Sequence, residues 1–176
     1  MADVNSRPRR PAPEPTGNDP ALDETAVREG IELLFFAYRD FTAEPDAILA
    51  EYGFGRAHHR VVHFVGRHPQ MTVGELLGIL RITKQSLNRV LGQLVRRGFI
   101  VQHRGPDDRR QRLLELTESG RELEQRLSAP QRARVAAAYR AACRTAGPEA
   151  VAGFRRVLLG ILADEEDRAR FEPKER

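Results

Sequence analysis

Apolar positions along the chain fall into blocks with two different periods. In the first block, residues 22–41, Ile31, Leu34, Phe35, Tyr38 and Phe41 recur at helical spacing, and Leu33 and Phe36 widen that stripe beyond one core face. The spacing predicts a helix that is apolar around most of its girth and must be covered, in part by another chain. Gly53 and Gly55 interrupt the pattern. Val61, Val62, Phe64 and Val65 then predict a second helix over about 56–67, which His68-Pro69 ends because the residue before a proline avoids helical backbone.

The middle of the chain is punctuated by capping signals. Thr72-Val73-Gly74-Glu75 reads as a capping box that opens a short third helix with Leu76, Leu77 and Leu80 on its inner side. After a turn through Arg81-Ile82, Thr83 caps a fourth helix. Leu87, Val90, Leu91 and Leu94 form one face of it, and Gly98 stands just past its end. The period then changes. Phe99-Ile100-Val101 predicts a strand, Arg104 to Arg110 a polar loop with Gly105-Pro106-Asp107, and Leu113-Leu114-Glu115-Leu116 a returning strand. Thr117 caps a fifth helix with Leu123 and Leu127 inward, and Pro130 is expected to break or kink it. Gly147-Pro148 starts the last helix, in which Val151, Phe154, Leu158, Ile161 and Leu162 keep helical spacing. The fold class that follows is mainly α with a small β-hairpin. A helix–turn–helix lobe over 56–117 lies between an N-terminal segment, 22–55, and C-terminal helices, 118–171. A short tail, 172–176, ends the chain. No internal repeat is present.

Composition changes this picture at three points. Residues 1–21 carry Pro8, Pro11, Pro13, Pro15 and Pro20 with Arg7, Arg9 and Arg10, and too little apolar surface to order themselves. A disordered, solvated tail is expected there. The lone cysteine, Cys143, excludes a disulfide framework within the chain and suits a reducing cytoplasm. No signal-peptide pattern and no run of about 18 apolar residues occurs, so no membrane partner is expected.

Charge is placed unevenly. The whole chain carries a formal +4, whereas Arg81 to Arg112 holds nine basic residues against Asp107 and Asp108, a net +7. A concentrated basic face is the electrostatic footprint of nucleic-acid binding. On the fourth helix Lys84, Gln85, Ser86, Asn88 and Arg89 lie outside the apolar stripe. Gln and Asn can bond adenine edges, Arg guanine, and Ser and Lys the phosphate backbone. The short third helix can support the fourth in the major groove, with the hairpin loop reaching the neighbouring minor groove. Double-stranded DNA is thus the expected partner.

From Leu22 to Phe171 the sequence resembles the MarR family. The resemblance rests on Gly98-Phe99-Ile100, then Asp107-Asp108-Arg109-Arg110, then Leu114-Glu115-Leu116-Thr117-Glu118-Ser119-Gly120, which is similar to the family's wing signature. Phe35, Tyr38-Arg39-Asp40 and His58-His59-Arg60 are also similar to a PetP-like branch. The resemblance implies a winged helix–turn–helix regulator, often a repressor, with its helices at both ends serving as the dimerisation surface of a homodimer. The apolar excess in 31–41 and 151–162 agrees independently. It further implies that Arg110 enters the minor groove, where negative potential is concentrated, steadied by Asp108. Arg109 and Arg104 stand on the same wing, and Thr72 and Thr83 are placed at helix starts to hold phosphate. An Asp108–Arg110 ion pair and plain capping threonines are the simpler roles for those residues. The resemblance also implies a small-molecule effector pocket, for which Tyr38, Phe41 and His58 are the candidate lining. Plain core is the simpler and preferred role for those residues.

Other chemistry is thinner. His59 and His63 share a helix face at i, i+4 beside His58, a spacing that can hold a metal or serve haem sensing. Two His without a nearby Cys or carboxylate pair make a weak site, and structural histidines are the preferred reading. Cys143, between Arg140 and Arg144, is a candidate redox thiol or a small packing residue. No zinc-finger Cys/His spacing, phosphate-cradling glycine loop, Ser/His/Asp motif or HExxH is present. Neither an enzyme nor a resident cofactor is therefore expected. A regulator that binds RNA or a protein through the same basic face is the alternative outside DNA.

Overall fold

The computed structural model of the chain describes residues 23–105 and 111–172. In chain order the elements are α1 (Glu24–Glu51), α2 (Arg56–Arg67), β1 (Met71–Thr72), α3 (Val73–Leu80), α4 (Lys84–Arg96), β2 (Ile100–Arg104), β3 (Arg112–Leu116), α5 (Glu118–Ala146), α6 (Glu149–Ile161) and α7 (Glu165–Ala169). Two compact units emerge. One spans Arg39–Ala133, and the other combines the chain up to Tyr38 with the chain from Arg134 onward. The expected disordered tail and the tip of the hairpin lie outside the described residues.

The Arg39–Ala133 unit is a winged helix–turn–helix built on one core. Leu49 of α1, Val61, Val62 and Val65 of α2, Leu76 and Leu80 of α3, and Leu87, Val90, Leu91 and Leu94 of α4 are all buried. Ile100, Leu114 and Leu116 from the strands and Leu123 and Leu127 from α5 complete it. Each such side chain contributes about 1.5–3 kcal/mol on leaving water. The sheet is antiparallel in the order β1–β3–β2, with Met71 opposite Leu114, Ile100 opposite Leu116 and Arg104 opposite Arg112. Its inner rows are buried at Ile100, Leu114 and Leu116, whereas Val101 to Arg104 are exposed. The hairpin therefore projects beyond the core, and a Gly105 N–H bond to the Gln111 carbonyl (3.1 Å) closes its described base.

Local sequence explains where the helices begin. Thr72 Oγ1 accepts the Glu75 N–H (3.1 Å), and the Glu75 carboxylate accepts the Thr72 N–H (2.7 Å). These bonds from the Thr72 backbone and hydroxyl hold the Glu75 carboxyl below its ordinary value. Thr83 Oγ1 accepts the Ser86 N–H (3.2 Å) at the start of α4. Thr117 Oγ1 does the same for Gly120 (3.1 Å) and donates to the Gly98 carbonyl (2.6 Å). Between α3 and α4 the chain turns through Arg81 in the left-handed region (φ +50°), and Arg60 donates to the adjoining Leu80 carbonyl (3.3 Å).

Two expectations are revised, and two elements are added. The first helix does not stop near residue 41 but runs to Glu51 with Pro45 buried inside it. Pro45 has no N–H for the carbonyl of Phe41, and the Gln131 side-chain amide donates to that carbonyl instead (3.3 Å). Pro130 does not break the fifth helix: α5 is continuous from Glu118 to Ala146, anchored by Leu123 and Leu127. The cap residue Thr72 also belongs to β1, a two-residue strand with no sequence period to announce it. After the last expected helix, Asp164 caps α7 by accepting the Glu166 (2.9 Å) and Asp167 (3.3 Å) N–H groups.

In the other unit, α6 and the end of α5 meet where the Tyr139 and Phe154 rings pack edge to face, centroids 5.9 Å apart. Its apolar side chains are left largely uncovered by this chain. Ile31, Leu33, Leu34, Phe35 and Phe36 of α1, and Phe154, Val157 and Ile161 of α6, are all exposed, Phe35 to 71% and Val157 to 62%.

Candidate nucleic-acid interface

The site is built on α4. Its buried stripe at Leu87, Val90, Leu91 and Leu94 fixes which face points outward. That outer face carries Lys84, Gln85, Asn88 and Arg89, all exposed, with Ser86 half-buried at its edge. Among the described residues no carboxylate pairs with Lys84 or Arg89, so both cations stand ready for an external anion. The hydroxyl of Thr83 donates to Ser86 Oγ (2.9 Å), which leaves the Ser86 hydrogen as the outward donor of the pair. Thr72 is more committed. Its hydroxyl bonds the Glu75 carboxylate (2.9 Å) while accepting the Glu75 N–H, so its capping role is met within the chain.

The hairpin adds Arg104 and Arg112, which face each other across β2 and β3 and are both exposed. His103 Nε2 lies 3.5 Å from the Glu115 carboxylate on the neighbouring strand. Asp108, Arg109 and Arg110 lie outside the described residues. Arg97, counted within the basic stretch, is exposed but engaged by its own chain. It donates to the Tyr52 carbonyl and stands over the Phe54 ring, 4.8 Å from its centroid. The positive face thus rests on Lys84, Arg89, Arg96, Arg104 and Arg112 among the described residues.

The candidate pocket residues are dispersed in role. Tyr38 is exposed on α1 in one unit. Phe41 is half-buried in the other, and His58 there is buried. His58 is a structural joint. Its Nδ1 accepts the Gly55 N–H (3.1 Å), its Nε2 lies 2.6 Å from Gln93 Oε1, and its ring stacks on Phe54 at 4.4 Å. Both nitrogens are spent, so His58 cannot join His59 and His63 as a ligand. Among the described residues no three His, Cys, Asp or Glu side chains gather to hold a metal. His63 Nδ1 instead lies 3.7 Å from the Glu124 carboxylate, and Cys143 is half-buried on α5.

Sequence reasoning missed the frame behind α4. His58 bonds Gln93 across 35 positions and stacks on Phe54, while Arg97 reaches the Tyr52 carbonyl across 45 positions and lies over Phe54. Only the aromatic pair flanking Gly53 hinted at it.

With this geometry in hand, comparison with known proteins is direct. The model of the MarR family matches residues 52–111. The chain is 54% identical over 141 residues to the HTH-type transcriptional regulator PetP of Rhodobacter capsulatus, covering 80% of this chain and 82% of that protein. The chain belongs to the MarR family. Membership makes it a winged-helix transcription regulator of the DNA-binding class, as the resemblance implied. Solved structures agree in fold. A MarR family transcription regulator aligns with a TM-score of 0.65 at 18% identity, over 88% of this chain and 100% of that one. FabT of Streptococcus pneumoniae, crystallised in complex with DNA, aligns with a TM-score of 0.63 at 20% identity, over 75% and 92%. Among the described residues no helix is long and apolar enough to cross a membrane.

Proposed function

We propose that this MarR-family protein is a homodimer that binds a near-palindromic duplex sequence and represses transcription from it. The observation that carries the reading is the outer face of α4. Lys84, Gln85, Asn88 and Arg89 stand exposed above a fully buried stripe, beside a projecting hairpin that carries Arg104 and Arg112. A helix so mounted can place its first two turns against base edges in the major groove. Gln85 and Asn88 match adenine, Arg89 matches guanine, and Lys84 and Ser86 match phosphate oxygens, the Thr72 and Thr83 hydroxyls being given to Glu75 and Ser86. The wing residues Asp108, Arg109 and Arg110 would reach the minor groove.

The second copy is supported by the uncovered apolar side chains of α1 and α6. Exposed apolar surface of that extent in a soluble chain marks an association site. Two copies related by a two-fold axis would set their α4 helices about one DNA turn apart. A small-molecule effector acting on this dimer belongs to the same reading.

Selection of bound fragments from a random duplex library, followed by fluorescence anisotropy on the winners, tests the proposal. A palindromic consensus is expected, with affinity falling by about 10³–10⁵ between 50 and 200 mM salt if 6–10 phosphates are neutralised. Arg89→Ala should relax the preference at one base pair per half-site. A library that yields no consensus, or tighter binding to single-stranded RNA, would overturn it.

A further inference from the structure

The outer face of α4 reads bases only if the helix is held at one rotation about its own axis. Its buried stripe does not do that alone, because Leu and Val side chains tolerate rolling and sliding against other apolar groups. At a side-chain radius of about 5–6 Å, a roll of about 20° displaces the outer tips by about 2 Å. That exceeds the tolerance of a hydrogen bond to a base edge.

We propose that His58 is a positioning residue for α4, acting through Gln93 to set the rotation at which Lys84, Gln85, Asn88 and Arg89 are presented. This rests on the DNA-binding reading above. The imidazole is fixed at three points before it meets α4. Gly55 donates its N–H to Nδ1 (3.1 Å), Phe54 covers one ring face at 4.4 Å, and the residue is buried at the start of α2. The Gly55 bond makes Nδ1 the acceptor, so Nε2 carries the proton. The Nε2–H then donates to Gln93 Oε1 over 2.6 Å.

Gln93 lies at the edge of the buried stripe, one turn beyond Arg89. A short bond there restrains both roll and slide, as a contact between methyl groups does not. A second tie enters from the same side. Arg97, one turn further along, donates to the Tyr52 carbonyl and lies over Phe54, the ring that also covers His58. The C-terminal half of α4 is thus bound to the turn between α1 and α2, and the N-terminal half is left clear for DNA.

The test compares full-length Gln93→Leu, Gln93→Glu and Val62→Ala. The probes are a duplex selected by the wild-type protein from a random library and a scrambled duplex of equal length. Gln93→Leu removes the acceptor, and Gln93→Glu keeps one. Val62→Ala loosens the same core without touching the tie. We expect Gln93→Leu to lower the ratio of selected to scrambled affinity at least tenfold with scrambled affinity unchanged. Gln93→Glu should restore the ratio, and Val62→Ala should leave it at the wild-type value. Nitrogen-15 spectra of the wild-type imidazole should show His58 protonated at Nε2 only, and residual dipolar couplings should show α4 rotated in Gln93→Leu.

A wild-type ratio in Gln93→Leu, an equal loss in Val62→Ala, or a proton on Nδ1 would overturn the positioning role. Should the wild-type protein select no duplex at all, the DNA-binding reading fails. The dipolar couplings then still decide whether the tie sets the helix.

Discussion

At the scale of single residues, the tightest constraint is Gly120. A Cβ built there would stand 2.0 Å from the Phe99 carbonyl oxygen, the same oxygen that accepts the Thr117 N–H (3.1 Å). The start of α5 and the end of the α4–β2 turn therefore touch backbone to backbone. Gly120→Ala should cost about 1–3 kcal/mol or more through forced displacement, read as a lower urea midpoint with circular dichroism. An unchanged midpoint would mean that the two segments do not approach so closely. The residue scale is also where the sequence was most legible. The capping bonds of Thr72, Glu75, Thr83 and Thr117 join groups three positions apart, so they can be seen in the string alone. His58 could not be assigned its role from the string, because its decisive partner, Gln93, is 35 positions away and no local period links the two.

At the scale of elements, each helix shows a balance between local rules and tertiary support. The stripes of α2 and α4 were readable because burial on one side imposes a 3.6-residue period, and the structure buries those residues. The course of α1 beyond Phe41 was not readable, because Pro45 disfavours helix locally and the compensating donor comes from Gln131 on α5. Gln131→Leu should leave the Phe41 carbonyl without that bond, destabilising the Arg39–Ala133 unit by about 1 kcal/mol, measured by denaturant titration. The half-buried histidines of α2 carry a second prediction. Burial pushes both His59 and His63 below the ordinary imidazole value, and their mutual repulsion adds to the shift at His59. Asp46 beside His59 and Glu124 beside His63 oppose that shift only in part. An imidazole depressed in the folded state stabilises in full above its unfolded value of about 6.5, and that stability is lost as pH falls through the folded value. The urea midpoint should therefore drop between pH 7 and pH 5, less steeply in His63→Gln. A midpoint that rises on acidification would show the Glu124 pairing to outweigh burial.

At the scale of the whole molecule, a +4 chain concentrates its positive charge on one lobe and leaves its uncovered apolar surface in the other unit. Under the proposed dimer, Phe35→Glu combined with Val157→Glu should give a monomer in analytical ultracentrifugation where the wild type is dimeric, and weaken binding to a palindromic duplex far more than to a single half-site. Persistence of the dimer would move the interface elsewhere. The general architecture was legible because capping, period and the wing motif all agree with one fold; the join between α1, α2 and α4 was not, because it is made by contacts between distant stretches. The separation of roles on α4 has an evolutionary corollary. Leu87, Val90, Leu91 and Leu94 hold the helix in place, while Lys84, Gln85, Asn88 and Arg89 bury nothing, so exchanging the latter set alters stability by only about 0.5 kcal/mol each. On the proposed reading of α4, descendants of this gene would acquire new target promoters by drift at four codons, with the scaffold beneath them inherited intact.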